Sequence, residues 1–285
     1  MISSASSAAV SPLSVLAAYE ASSIRHETPC GEGVMVWREW GTGPVLVLLH
    51  GGYGSWRHWI RNIDYFKSHR RVLVPDLPGL GLSAEAPDPI PDGIGAMVAQ
   101  GLAQLVPPSE PIDLVGFSFG SLVGSYVAGH VQKPLKSLTL VGAGALGLIR
   151  ADITLERTDP LMSEAERRAV HAKNLGLLMI ADPAQIDDLA ITIQDLNVQL
   201  ARVKSRRFAK SESLADVLRG VEVGALHSLW GEWDAVAAGR FSERETLLRA
   251  IRPDVSFKII EQGGHWISYE RADAFNAYVA GLLKS

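Results

Sequence analysis

The chain is nearly without cysteine: Cys30 is the one thiol in 285 residues. An intrachain disulfide is excluded, and so is a cysteine-rich zinc or iron–sulfur centre. Basic charge is not in excess either. Lys and Arg number 27 against 31 Asp and Glu, a net charge of −4 with an isoelectric point near 6.1. That balance argues against a nucleic-acid partner. Long apolar runs are missing. The longest are of the order of Val45–Leu49, far below the ~18 residues that a spanning helix needs, so no membrane partner is expected. Residues 1–22 are rich in Ser and Ala but lack the basic start and continuous apolar block of a signal peptide. They read as a tail followed by a short helix over 12–22, and a cytoplasmic location is expected.

What is present is an ordinary globular composition, 47% hydrophobic and 20% charged. The length leaves room for two domains or one large α/β unit. Short apolar runs alternate with helix-type segments, the pattern of a mostly parallel sheet covered by helices on both faces. Residues 23–28 and 34–40 flank the turn Cys30-Gly31-Glu32-Gly33 and predict an antiparallel hairpin at the sheet edge. Val45–Leu49, 72–74, 112–115 and 138–141 are apolar on both parities, as strands buried on both faces are. Strands are also expected over 224–230 and 255–260, and helices over 56–68, 94–106, 119–131 and 270–284. From 148 to 220 the alternation stops. Residues 164–172, 174–180 and 183–208 carry helical patterning without a strand, which predicts a helical cap over one end of the sheet, inserted into a core of 1–147 and 221–285, with extra helices packed sideways on the sheet as the alternative.

Gly116-Phe117-Ser118-Phe119-Gly120 stands between an apolar strand and a small-residue helix. A serine on such a sharp turn has its hydroxyl held clear, and the glycines allow the strand and helix to approach closely. The helix start adds free N–H groups that favour an anion. A nucleophilic serine needs a base and an acid, following in the order acid then histidine. Gly263-Gly264-His265-Trp266 lies just past the last strand, so His265 is the expected base. Leu229-Trp230-Gly231-Glu232-Trp233-Asp234 ends the strand before it, so Asp234 is the expected acid, with Glu232 as competitor. The remaining histidines, among them His58, read as structural or solvated. His50 belongs to the glycine-rich turn His50-Gly51-Gly52-Tyr53, which can aim a backbone N–H at a substrate carbonyl. The N–H groups of Gly52 and Phe119 are the expected oxyanion hole. A phosphate loop is excluded there, because no Gly-Lys-Ser/Thr follows. Gly51, Tyr53, Phe117 and Trp266 are expected to line an apolar, aromatic substrate pocket. No metal or organic cofactor is required.

Taken in order, His50-Gly51-Gly52, Pro75-Asp76-Leu77-Pro78-Gly79, the Ser118 turn, Gly231-x-x-Asp234 and Gly264-His265 resemble the α/β-hydrolase superfamily. The resemblance implies an eight-stranded, mostly parallel sheet with a helical cap after the sixth strand. A serine at position 118 argues against the aspartate-dependent dehalogenase and epoxide-hydrolase branches. Gly264-His265-Trp266, Arg61-Asn62 and the run from Glu270 to Asn276 are similar to the hydrolases of aromatic meta-cleavage products, which break a carbon–carbon bond. That group usually carries asparagine where this chain has Phe117. It also implies a cap arginine for the substrate carboxylate, with Arg202, Arg206 and Arg207 as candidates. The expected function is hydrolysis of an ester or lactone of a small to medium apolar or aromatic carbonyl compound by a Ser-His-Asp triad. Carbon–carbon hydrolysis, acyl transfer and non-catalytic ligand binding are the alternatives. The expected partner is a small-molecule substrate, and the chain is expected to be a monomer or homodimer.

Overall fold

The computed structural model describes residues 11–132 and 134–284. The first ten residues of the expected tail therefore lie outside the described residues. Eight strands form one sheet: β1 (Ile24–Cys30), β2 (Gly33–Trp40), β3 (Val45–Leu49), β4 (Arg71–Pro75), β5 (Ile112–Phe117), β6 (Leu135–Val141), β7 (Val223–Gly231) and β8 (Ser256–Ile260). Their spatial order is β1-β2-β4-β3-β5-β6-β7-β8. β1 and β2 form the edge hairpin, Cys30 opposite Gly33, and β2 runs antiparallel to β4. From β4 to β8 every pairing is parallel. The carboxyl ends of β3, β5, β7 and β8 therefore open on one edge of the sheet, which is where loops from parallel strands can converge.

Strand alternation divides the core in two. Val45, Val47 and Leu49 of β3 face one apolar cluster, and Leu46 and Leu48 face the other. α3 (Pro91–Leu105), α4 (Phe119–His130) and α8 (Phe241–Ile251) cover the first face, supplying Ile94, Val98, Leu122, Val123 and Leu248. α1 (Pro12–Ala21), α2 (Ile63–Lys67), α9 (Ile267–Glu270) and α10 (Ala272–Leu282) cover the second, with Leu16, Ile63, Phe66, Phe275 and Val279. α1 starts where Ser11 caps Ser14 N–H, with Pro12 in the first helical position.

Several expected helices are broken. The segment 56–68 is a 3₁₀ turn, Trp56–Trp59, followed by the short α2. Asn62 stands at the start of α2 with its side chain spent on Ser268 O and Asn276 Oδ1 rather than on capping that helix. Between β6 and β7 lie α5 (Glu164–Leu178), α6 (Asp188–Gln199) and α7 (Ser213–Gly220). α5 is one helix across both expected pieces, started by a capping box of Ser163 and Glu166. The expected stretch 183–208 is three pieces: two 3₁₀ turns, Pro183–Gln185 and Ser205–Phe208, on either side of α6. α7 does not sit over the sheet end. It packs sideways on α4, with Leu214, Ala215 and Leu218 in the first core cluster. α8 was not expected at all, because its charged, weakly apolar sequence hides its buried stripe.

Cys30 is 1% exposed, its thiol facing the carbonyls of Ala84 and Glu85, and burial raises its pKa. Among the described residues no helix is long and apolar enough to cross a membrane.

Candidate active site

Ser118 stands between β5 and α4 with φ 50° and ψ −109°. A residue with a side chain rarely adopts positive φ, and here it stands in a turn packed closely on both sides. A Cβ on Gly116 would lie 2.3 Å from Gly120 O, and one on Gly120 would lie 2.3 Å from Leu49 O. The two glycines are required by close backbone approach on each side of the turn. Ser118 N–H donates to Val141 O at 2.7 Å, tying the turn to β6, and Ser121 Oγ donates to Gly116 O at 2.6 Å, tying the start of α4 back to β5.

The three residues expected to act together do meet. His265 Nε2 lies 3.0 Å from Ser118 Oγ, and His265 Nδ1 lies 2.8 Å from Asp234 Oδ2. An ionised carboxylate only accepts, so Nδ1 carries the proton and Nε2 is free to accept from the serine hydroxyl. Asp234 Oδ1 accepts from the N–H groups of Val236 and Ala237. Burial raises the Asp234 pKa, but His265 and those two N–H groups outweigh it, and the net shift is downward. The competitor Glu232 is exposed and its carboxylate accepts from Gln262 N–H, so it takes no part.

The loop that carries His265 is sewn to the end of α5. Glu270 accepts from Gly264 N–H at 2.6 Å, Asp182 N–H at 2.7 Å and Ala181 N–H at 3.2 Å, and Trp266 N–H donates to Met179 O at 2.7 Å.

A cavity opens onto Ser118 and His265, and Gly51, Gly52, Tyr53, Phe117 and Phe119 line it as expected. Among the described residues neither Gly52 N–H nor Phe119 N–H has an acceptor within the protein. Trp266 does not line it. That side chain is fully buried behind His265, stacked on Tyr269 at 4.3 Å with its indole N–H on His58 O. Leu175, Leu178 and Met179 give one wall an apolar surface, and Arg150 and Arg206 place two guanidiniums on another. Neither arginine has a carboxylate within ion-pair distance among the described residues. Arg150 Nε is buried without a partner, and Arg206 lies 5.6 Å over the Tyr53 ring. Burial lowers the pKa of both. Of the other candidate arginines, Arg202 is held by Ser83 O and Leu200 O, and Arg207 by Pro89 O. Arg150 was missed because it follows β6 without any local motif. Among the described residues no group of three or more His, Cys, Asp or Glu could hold a metal ion.

A family model described as "alpha/beta hydrolase fold" matches residues 44–204, more than half of the chain. This chain belongs to the α/β-hydrolase fold family. Within it, the chain is 26% identical to a 2-hydroxy-6-oxononadienedioate/2-hydroxy-6-oxononatrienedioate hydrolase of Comamonas testosteroni, over 85% of this chain and 88% of that one. It is likewise 26% identical to a pimeloyl-[acyl-carrier protein] methyl ester esterase of Vibrio cholerae, over 85% and 94%. Among solved structures, the esterase RhEst1 from a Rhodococcus species superposes with a TM-score of 0.69 at 22% identity, covering 92% of this chain and 98% of that one. The sheet order, the Ser118 turn and the helices inserted after β6 are this α/β-hydrolase's own version of the family plan.

Proposed function

We propose that this α/β-hydrolase is a serine esterase acting on small to medium carbonyl compounds. The observation that carries the reading is the continuous hydrogen-bonded line from Ser118 Oγ through His265 to Asp234, with the serine at positive φ. In this reading His265 Nε2 takes the Ser118 proton as Oγ attacks the carbonyl. Asp234 holds the imidazole tautomer and stabilises the imidazolium. The N–H groups of Gly52 and Phe119 receive the developing oxyanion, each such donor being worth roughly 3 kcal/mol in the transition state. His265 then gives its proton to the leaving alkoxide, and a water activated by the same imidazole releases the acid. The esterases among its relatives support this bond type.

The test is a panel of p-nitrophenyl esters, lactones and a dienoate diketone. Ser118→Ala and His265→Ala are each expected to lose at least about 10³-fold in kcat with melting temperature preserved. Wild-type turnover in both folded variants overturns the triad. Carbon–carbon hydrolysis is the second reading, favoured by the guanidiniums of Arg150 and Arg206, which have no carboxylate partner among the described residues and suit a carboxylate-bearing substrate. Phe117, in place of the usual asparagine, weighs against it. Faster turnover of the dienoate diketone than of any ester in the panel would reverse the order of the two readings.

A further inference from the structure

Two buried histidines take no part in the proton transfers above. His50 is fully buried and His58 is 2% exposed. Leu77 N–H donates to His50 Nε2 at 2.9 Å, so that nitrogen carries no proton. The proton is then on Nδ1, which donates to Gly51 O at 2.8 Å. On the other side Gly51 N–H donates to His58 Nδ1 at 3.2 Å, so His58 is neutral with its proton on Nε2. Gly51 is thus gripped at both of its backbone polar groups by two imidazoles in opposite tautomers.

The grip matters because of which atoms share a plane. Gly51 C=O and Gly52 N–H belong to one peptide unit, and in a trans peptide they point in opposite directions. Holding the carbonyl on His50 therefore turns the Gly52 N–H away from His50. His58 fixes the preceding peptide plane, so that the two soft dihedrals of Gly51 have little left to vary. A side chain could not do this from within. A Cβ on Gly51 would lie 2.9 Å from two carbons of the Phe117 ring, and glycine left alone is the most mobile residue. The His58 ring is itself held at 4.9 Å from Trp266 and 5.7 Å from Phe117. Burial lowers the pKa of both histidines, and His58 is pushed further down by the neighbouring His50 and His265.

We propose that His50 and His58 form a clamp on Gly51 that presets the Gly52 N–H toward the oxyanion. Both are positioning residues, and the proposal rests on the serine-esterase reading of the cavity. Its test compares His58→Asn, whose amide oxygen takes the place of Nδ1 as acceptor, with His58→Leu, which fills space without accepting. On an ester that the wild type hydrolyses, His58→Leu is expected to lose about ten- to a hundredfold in kcat with KM within twofold. His58→Asn is expected to regain most of it. Equal loss in both variants, or none in His58→Leu, overturns the clamp. If His58→Leu does not fold, nitrogen-15 spectra of the wild-type imidazoles decide. At pH 7 the clamp requires both rings neutral, Nδ1 protonated in His50 and bare in His58, and any other state overturns it. Labelling of Ser118 by a fluorophosphonate keeps the two ideas apart. An unlabelled wild type sinks the serine-esterase reading, whereas the imidazole spectra judge the clamp without turnover.

Discussion

Ser118 holds a backbone conformation that costs of order 1–3 kcal/mol in an ordinary residue, and the hydrogen bonds of its turn to Val141 and Gly116 offset that cost. Its partner Asp234 has a quieter role whose removal is equally informative. Asp234→Asn is expected to keep the fold but lower kcat by about 10⁴-fold, because an amide lets His265 adopt the tautomer that cannot accept from the serine. Steady-state kinetics beside a melting curve check it. At this scale Ser118, Asp234 and His265 were legible because each stands in a short pattern that physical need restricts to few residue types. Arg150 and His58 were not. Arg150 reaches the cavity from an irregular stretch, and His58 acts through a contact that closes only when the chain folds. Arg150→Ala and Arg206→Ala are expected to lower kcat/KM for an ester bearing a carboxylate by about tenfold or more relative to its neutral counterpart. An unchanged ratio in a competition assay refutes any role for them in recognition.

Elements carry the geometry that these residues need. β5, the Ser118 turn and α4 meet with no space for a methyl group at Gly120. Gly120→Ala is expected to destabilise the protein by about 1–3 kcal/mol and to reduce turnover by shifting the serine, as urea unfolding and kinetics would show together. The seam between the His265 loop and the end of α5 is the other fixed joint. Glu270→Ala leaves Gly264, Ala181 and Asp182 N–H groups without their acceptor. More than about 2 kcal/mol of stability should go with them, and an unchanged urea midpoint would show that the seam carries no load. The central strands were legible because two-sided burial writes itself as an unbroken apolar run. The broken helices were not. Apolar spacing looks the same in a continuous helix and in two short ones separated by a turn; the break at Asn62 goes with its tertiary hydrogen bonds, and the one before α6 with the local caps of Asp182 and Asp187, which apolar spacing does not show. α7 escaped for a related reason: its apolar face is plain, but which surface it covers is decided by α4.

For the molecule as a whole, buried histidines set the response to acid. His50, His58, His171 and His227 all have lowered pKa values, burial being the leading cause in each. The unfolded chain binds their protons near the ordinary value of about 6.5, while the folded chain resists. Their contribution to stability is therefore present above that pH and lost as pH falls below it. His50 and His58 therefore make unfolding easier as pH falls through the ordinary histidine range, well before Asp234, whose lowered pKa matters only below the ordinary carboxylate range. Urea midpoints measured across the histidine range check the sign, and a flat profile contradicts it. The solitary thiol of Cys30, sealed under the Ala84 and Glu85 carbonyls, turns the molecule into its own clock. A maleimide should find nothing to alkylate in the native protein and one equivalent in the opened one. The rate of modification then times how often the edge hairpin parts from its neighbours, with no added probe and no second cysteine to confuse the count.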